Sequence, residues 1–292
     1  MKISLLDKVF NRSEKRAKKA EQRSNKRSRR IEYLLNEETP FEVTEAFRNL
    51  KATLSVSVPK KEGGVVIMTT SAYPEDGKTT VTVNLAMMFA LSDAKVLLID
   101  ADIRKGRVAK YFKEKSAHGL SDALSGQDTS EAVVRKTAQN DNLYYVACGS
   151  PSPRSYELLE SEEMKKFIQE QRAKFDYIII DTPPVLLCSD ALALTPLTDG
   201  AVLVCRHQLS YLSDMSRALD TLSFAKANVL GVVVNDYKNA TSGGYYNGYK
   251  KYYRYSSYSY QRKSAETEPK EAEEPSKIET EAKAEAAVTD EL

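Results

Sequence analysis

The sequence predicts an α/β protein with a mostly parallel sheet and helices on both faces. Short apolar segments rich in β-branched residues alternate with helical stretches between Val65 and Asn235. One of these segments runs into a Gly-Lys-Thr loop, and two others end in an acidic residue. Because right-handed crossovers bring the carboxyl ends of parallel strands to one edge of a sheet, these residues are expected to form a site at that edge.

The predicted elements follow one another in chain order. Pro40–Leu54 is predicted as a helix because Phe47, Leu50 and Leu54 share one face. Thr80–Leu91 is predicted as a second helix, amphipathic and free of Gly and Pro. The predicted strands are Val65–Met68, Val96–Asp100, Leu143–Cys148, Tyr177–Asp181, Ala201–Cys205 and Val229–Val234.

The overall charge of +2 conceals strongly charged ends. Residues 1–31 contain 12 Lys/Arg and 3 Asp/Glu, whereas residues 264–292 contain 3 Lys/Arg and 10 Asp/Glu. We therefore divide the chain into a basic N-terminal arm (1–35), a domain (36–237), a tyrosine-rich tail (238–263) and an acidic extension (264–292). Both termini are expected to be disordered. In the tyrosine-rich tail the reason is composition, since Gly, Ser, Asn, Lys and Arg surround the tyrosines and no aliphatic residues are present to build a core.

Composition also predicts the compartment. No apolar run approaches the roughly 20 residues that a membrane-spanning helix needs, and no signal-peptide core follows the first lysine. The three cysteines have no metal-site spacing, and each lies in or near an apolar run. We expect unpaired thiols in a reducing cytosol.

The basic arm has three open interpretations. It could lie on an anionic membrane surface, where each basic residue contributes about 1 kcal/mol, or it could be a solvated arm. Nucleic acid is disfavoured as its partner, because no aromatic residues alternate with the charges as base stacking would require.

Residues 65–80 are predicted to form a strand, a phosphate-binding loop and a helix start. Gly77-Lys78-Thr79 matches the end of the pattern G-x-x-x-x-G-K-[ST], and Ala72 replaces its first glycine. Free N–H groups at a helix start, with the helix dipole behind them, bind anionic oxygens. Lys78 is therefore expected to reach the β- and γ-phosphates of a nucleotide, Thr79 to ligate Mg²⁺ and Thr80 to hold the α-phosphate.

Two further candidates for nucleotide contacts stand after predicted strands. Arg206 and Asn235 are suited to the base and ribose, although the end of a strand explains them about as well. The full set expected to contact the nucleotide is Ala72, Asp76, Gly77, Lys78, Thr79, Thr80, Arg206 and Asn235.

Three acidic residues are expected to converge on the phosphate loop. Asp181 closes the apolar strand of FDYIIID and is placed to hold Mg²⁺ through water. Asp100 closes VLLID, and Asp102 lies on the same side if the backbone stays extended. The expected metal-binding set is Thr79, Asp100 and Asp181, and the expected catalytic set is Lys78, Asp100, Asp102 and Asp181.

The tail concentrates tyrosine in a polar, basic segment. Packing does not explain this composition, which leaves acceptor hydroxyls for phosphorylation or an aromatic and basic strip for RNA. The candidate phosphoacceptors are Tyr245, Tyr246, Tyr249, Tyr252, Tyr253, Tyr255, Tyr258 and Tyr260.

These motifs together resemble the bacterial protein-tyrosine kinases of capsule and exopolysaccharide systems, in the cytoplasmic form that is not fused to its membrane partner. SAYPEDGKTT corresponds to the Walker A motif, VLLIDADIRKGR to the family-typical Walker A′ motif and YIIIDTPP to Walker B. The resemblance covers about residues 44–260 and implies a P-loop NTPase fold.

The resemblance implies ATP and Mg²⁺ as cofactors and transfer of phosphoryl groups to tail tyrosines, mostly on a neighbouring copy. Asp100 is the candidate base for the phenol proton and Asp102 the orienting residue, with exchanged roles left open. EAFRNLK resembles the family's E-x-x-R-x-x-R oligomerisation motif on Glu45, Arg48 and Lys51.

The expected partners are other copies in a ring, a transmembrane activator that acts as polysaccharide co-polymerase, and a tyrosine phosphatase. The activator would hold the protein at the inner face of the cell membrane. Two alternatives from other classes stay open. One is a ParA/MinD-like partitioning ATPase on membrane or DNA, and the other is a silent scaffold, suggested by Ala72 and Glu75 in the phosphate loop.

Overall fold

The computed structural model describes residues 34–58, 63–114 and 118–237. Nearly all of the basic arm, the tyrosine-rich tail beyond Tyr237 and the acidic extension lie outside these residues, and so do all eight candidate phosphoacceptors. At the start of the described chain, Leu35 is buried and its amide donates to Asn84 Oδ1 at 2.7 Å. This contact ties residue 35 to the domain.

A seven-stranded sheet forms the centre of the domain, with the order β3-β4-β2-β5-β1-β6-β7. All neighbouring strands are parallel except β3 and β4, which are antiparallel. The strands are β1 Val65–Ser71, β2 Val96–Asp100, β3 Arg135–Lys136, β4 Leu143–Val146, β5 Tyr177–Asp181, β6 Gly200–Arg206 and β7 Val229–Asn235.

Helices cover both faces of this sheet. They are α1 Phe41–Ser57, α2 Lys78–Ala90, α3 Val108–Tyr111, α4 Leu120–Leu124, α5 Ser130–Val133, α6 Ser155–Glu160, α7 Glu162–Arg172, α8 Asp190–Ala193 and α9 Leu212–Phe224, with a 3₁₀ turn at Thr195–Leu197. The predicted fold class is confirmed.

Two hydrophobic cores follow from the period-two alternation of the strands. On one face, Val66 and Met68 of β1 pack in a cluster with residues of α7 and α9. On the other face, Val65 and Ile67 pack in a cluster with α2 and with Leu54 of α1. Because the central strands are buried on both faces, they appear in the sequence as continuous apolar runs.

Most predicted elements differ from the observed ones by one to three residues at an end, and one strand was not predicted. Strand β1 continues three residues past Met68, and β4 ends at Val146 instead of Cys148. Helix α1 continues to Ser57. The two-residue strand β3 was not predicted, because a strand this short carries no periodic signal.

Among the described residues, no helix combines the length and the apolar character needed to cross a bilayer.

Candidate active site

The carboxyl ends of the central strands bring the predicted acidic residues together. Asp100 and Asp181 are register partners on the parallel strands β2 and β5, and Thr69 of β1 is the register partner of Asp181 on its other side. Both aspartates are 1% exposed. Strand order therefore places two buried carboxylates side by side next to the strand that leads into the phosphate loop.

Gly77 shapes the phosphate loop. It precedes the 13-residue helix α2 and adopts a φ of 85°, a left-handed conformation that side chains rarely tolerate. A Cβ at this position would overlap the Asn235 side-chain amide. The glycine thus allows the loop backbone to approach a phosphate closely, and free N–H groups at a helix N-terminus bind anions.

Lys78 and Thr79 both contact Asp181. Lys78 Nζ lies 2.6 Å from Asp181 Oδ1, and Thr79 Oγ1 donates to Asp181 Oδ2 at 2.7 Å. Thr82, one helical turn after Lys78, adds a hydrogen bond to Asp181 Oδ1 at 3.1 Å. The three donors hold the carboxylate in a fixed orientation beside the helix N-terminus.

Asp100 is held by the backbone that follows it. Its Oδ1 accepts from the amide of Asp102 at 3.2 Å, and its Oδ2 accepts from the amide of Val108 at 2.9 Å. Burial, followed by the negative charge of Asp181, raises the pKa of Asp100 from 3.8 to about 7. Asp100 therefore changes charge near neutral pH.

Asp102 lies where the chain turns after β2. Its Oδ1 accepts from the amide of Lys105 at 2.9 Å, so the segment bends instead of continuing as an extended strand. Burial is the largest cause of a raised Asp102 pKa, and the Lys78 charge opposes the shift. Asp100 and Asp102 thus both lie within the electrostatic reach of Lys78.

An ion pair fixes the same turn from outside. Arg104 Nε and Nη2 lie 2.9 and 3.1 Å from the two carboxylate oxygens of Asp190, which is fully buried at the start of α8. Helix α8 follows the loop after β5. This pair therefore connects the chain segment that follows Asp100 with the segment that follows Asp181.

Arg206 and Asn235 were predicted to contact the base and ribose of the nucleotide. In the structure, both residues contact the phosphate loop. Arg206 binds Asp236 through Nε and Nη2 and donates from Nη1 to the Glu75 carbonyl at 3.2 Å. Asn235 Nδ2 donates to the Asp76 carbonyl at 3.0 Å. Both therefore support the loop from the ends of β6 and β7.

Two loop residues have further contacts. Asp76 accepts from Ser210 Oγ at 2.8 Å, and burial raises its pKa. Thr80 shares a hydrogen bond of 2.7 Å with the Tyr111 hydroxyl. Ala72, in the place of the first motif glycine, is 2% exposed and packs in the core.

The predicted oligomerisation residues lie on one helix. Glu45 and Arg48 form an ion pair within α1, and Arg48 is exposed. Lys51 follows one turn later and is partly buried. The three side chains recur every third residue along a helix that packs against α2.

The donor set suits a magnesium ion. Mg²⁺ prefers carboxylate, hydroxyl and water oxygens, and Thr79, Asp181 and Asp100 supply the first two types at one sheet edge. Two adjacent buried carboxylates also favour a nearby cation. These observations fit the cofactor that the motifs imply.

Sequence reasoning missed several supporting residues. Thr82 could have been found, because it is four residues after Lys78 and therefore on the same helical face. Asp190, Ser210 and Tyr111 gave no such signal, since their positions depend on how the loops pack.

Comparisons with known proteins agree with this geometry. A family model described as an AAA domain matches residues 74–230. The tyrosine-protein kinase YwqD of Bacillus subtilis is 34% identical over 206 residues, which cover 70% of this chain and 86% of the relative. The tyrosine-protein kinase Etk of Escherichia coli K12 is 31% identical over 219 residues, and the matched region spans 75% of this chain but 30% of that relative.

Solved structures show the same fold. The kinase domain of the E. coli tyrosine kinase ETK superposes with a TM-score of 0.63 at 32% identity and covers 69% of this chain and 80% of that one. The septum site-determining protein MinD of Pyrococcus horikoshii, solved with Mg-ADP, has a TM-score of 0.52 at 26% identity and covers 61% of this chain and 72% of its own.

Proposed function

This chain belongs to the family of bacterial protein-tyrosine kinases, and on that premise we propose that it transfers the γ-phosphoryl group of ATP to tyrosines of its own tail. The observation that carries the proposal is the convergence of Lys78, Asp100 and Asp181 at the end of the phosphate loop. A phosphate-binding cation, a candidate metal-binding pair and a buried candidate base therefore lie close together.

The reaction forms a bond between the phenol oxygen and the γ-phosphorus and breaks the bond to the β-phosphate oxygen, which leaves with ADP. A phenol titrates near 10 in water, so a base must accept its proton at neutral pH. We assign this role to Asp100, whose pKa of about 7 suits it, and assign Asp102 to orienting Lys78.

Lys78 and the N–H groups of the loop and of α2 stabilise the charge on the phosphate oxygens. Thr79, Asp181 and Asp100 would hold Mg²⁺, which supplies further positive charge there when bound. Because transition states of this kind are loose, positioning and charge account for most of the acceleration.

The acceptors proposed are the eight tyrosines between residues 245 and 260, mostly on a neighbouring copy. From Asn235 to Tyr252 the chain can span at most about 58 Å, so reach allows either copy. Entry into the chain's own site requires a sharp reversal after β7, which favours the neighbour. Glu45, Arg48 and Lys51 are proposed to assemble the copies into a ring.

Regulation is proposed to follow from charge. Each phosphotyrosine adds about −1.5 to −2 charges, so heavily modified tails should repel one another and loosen the ring. A transmembrane activator would promote phosphorylation of the tail, and a phosphatase would reverse it. We place this cycle in polysaccharide export because one relative is named EpsB and another is named for a cps region.

The test is an anti-phosphotyrosine blot of the purified protein with ATP and Mg²⁺, with and without the cytoplasmic segment of the activator. We expect a signal in the wild type, its loss in Lys78→Met and its retention in Lys166→Met, an exposed control on α7. Phosphopeptide mapping should place the modification in the tail. A wild type without signal under both conditions overturns the proposal.

A mixing experiment separates the two routes of transfer. Lys78→Met protein with an intact tail is combined with an active chain whose eight tail tyrosines are Phe. Label on the inactive chain demonstrates transfer between copies, and an unlabelled inactive chain overturns that route.

The second candidate is an ATPase that partitions cargo, favoured by the likeness to MinD at TM-score 0.52. This activity predicts ATP hydrolysis that depends on a membrane or DNA surface, with no phosphotyrosine formed. The same blot, together with a phosphate-release assay on vesicles and on DNA, distinguishes it from the kinase.

A further inference from the structure

A cavity of about 310 Å³ lies beside Asp100. It is lined by Asp100, Gly106, Arg107, Ala109, Lys110, Glu114 and Cys148, which follows β4. Strand β2 lies between β4 and β5, whereas the phosphate loop follows β1 beyond β5. The cavity and the phosphate loop therefore lie on different sides of Asp100. The transfer reaction requires this arrangement, because the acceptor hydroxyl and the phosphoryl donor must approach each other from opposite sides.

The size and walls of the cavity suit an aromatic side chain. Small-molecule pockets begin at about 300 Å³, so the space is sufficient for a phenol ring. Gly106 forms the wall next to the carboxylate, and a Cβ there would lie 2.8 Å from Asp100 Oδ2 and overlap Cys148 Sγ. Ala109 adds an apolar surface.

The rim of the cavity is positively charged. Arg107 and Lys110 line it with exposed side chains, and within the described ranges neither forms an ion pair. The negative group on the same wall, Glu114, lies 3.8 Å from Arg135 and accepts from the Tyr145 hydroxyl. Two cations are thus available to an incoming anion.

The unmodified tail does not match this rim. Residues 239–263 contain five Lys/Arg and no Asp/Glu, so the tail enters with like charge. A phosphotyrosine replaces this repulsion with attraction, because it adds about −1.5 to −2 charges and three strong acceptor oxygens that suit Arg and Lys. Tyr245-Tyr246 and Tyr252-Tyr253 place such a group directly beside a second acceptor.

We infer that the cavity beside Asp100 receives the acceptor tyrosine, and that Arg107 and Lys110 select acceptors with a phosphotyrosine next to them in sequence. This assignment rests on the proposed kinase function and adds an order in which the tail tyrosines are modified. The first modification of a tail is slow, and each one favours the next. A tail is therefore either unmodified or modified at several tyrosines.

The test uses peptides of residues 250–256 in which Tyr255→Phe leaves Tyr252 as the acceptor. Position 253 carries Phe, phosphotyrosine or Glu. With the full-length protein, ATP and Mg²⁺, kcat/KM for Tyr252 should be roughly 3- to 10-fold higher beside phosphotyrosine than beside Phe. The gain should fall in Arg107→Gln and in Lys110→Gln and persist in Lys113→Gln, an exposed neighbour that does not line the cavity.

A binding measurement makes the result independent of turnover. Fluorescent versions of the peptides are titrated into the protein with saturating Mg·ADP, and the phosphotyrosine peptide should bind 3- to 10-fold more tightly than the Phe peptide. Equal binding and equal turnover of the two peptides overturn the inference, as does a preference that both Gln variants retain. An equal gain from Glu overturns the assignment to phosphotyrosine.

The two proposals fail in different ways. If the full-length protein gives no phosphotyrosine signal with or without the activator, but the binding preference depends on Arg107 and Lys110, the kinase is overturned and the anion-selective rim is supported. If all three peptides are phosphorylated at the same rate, the kinase is supported and the selection is overturned.

Discussion

Asp100 and Asp181 are register partners on neighbouring parallel strands, and both carboxylates are buried at the same sheet edge. Lys78 neutralises Asp181 directly through a contact of 2.6 Å, whereas Asp100 is held by two backbone amides. The two acids therefore differ in environment although they are neighbours. This difference supports the proposal that Asp181 mainly contacts the metal and that Asp100 mainly accepts the proton.

The raised pKa of Asp100 predicts how stability depends on pH. Because the folded state holds this proton up to about pH 7 and the unfolded state only to about 3.8, the contribution of Asp100 is present at pH 4 and is lost as the pH rises through 7. In metal-free buffer, Asp100→Asn should be more stable than the wild type at pH 8 by on the order of 2 to 4 kcal/mol, but not at pH 4.

Urea denaturation between pH 4 and pH 8 measures this difference. Asp220→Asn, an exposed change on α9, is the control and should follow the wild type. Parallel profiles for the wild type and Asp100→Asn would show that Asp100 ionises normally in the fold.

The Arg104–Asp190 pair should respond unequally to the loss of each partner. Arg104→Ala leaves a fully buried carboxylate without its cation, whereas Asp190→Ala releases a guanidinium that is 43% exposed. We expect Arg104→Ala to cost about 2 kcal/mol of unfolding free energy and Asp190→Ala about half as much. Equal losses in thermal or urea denaturation would contradict this account.

The conformation of Gly77 predicts a strong effect of one methyl group. Gly77→Ala combines a φ of 85° with overlap against Asn235, so it should lower stability by at least about 1 kcal/mol and reduce Mg·ADP affinity. Adding Asn235→Ala should recover part of the stability by removing the overlap. Calorimetric titration with Mg·ADP measures the affinity, and a double variant no more stable than Gly77→Ala would exclude Asn235 as the obstacle.

Thr82 should affect stability and Mg·ADP binding through its contact with Asp181. Its hydroxyl lies within hydrogen-bond distance of both Asp181 Oδ1 and the Lys78 carbonyl, whereas the hydroxyl of Thr221 on α9 makes the matching bond to the carbonyl four residues earlier. Thr82→Val should therefore cost about 1 to 2 kcal/mol and weaken Mg·ADP binding several-fold, and Thr221→Val should do neither. Similar affinities in the two variants would remove Thr82 from the site.

Lys51 tests the proposed ring. A lysine cannot form the two parallel hydrogen bonds that an arginine forms with a carboxylate, so Lys51→Arg should shift the assembly toward larger species. Arg48→Ala should shift it toward the monomer. Light scattering over a concentration series measures both changes, and identical masses for all three proteins would exclude this helix face from assembly.

The sequence by itself predicted the mostly parallel sheet with helices on both faces, apart from the short strand β3, and the residues that meet at its carboxyl edge. Strands buried on both faces must be continuously apolar, and an acid or a glycine at the end of such a run stands out against it. Asp100 and Asp181 stand out for this reason, and Lys78 follows from the Gly-Lys-Thr match to the phosphate-loop pattern.

Only the tertiary structure decided how these residues are held. The turn after Asp100, the pair between Arg104 and Asp190 and the cavity with its two cations all join segments far apart in the chain or depend on loop backbone. Such contacts follow no period in the sequence, because loop conformation is set by packing against the rest of the fold. The raised pKa of Asp100 has the same origin, since burial is a property of the folded chain.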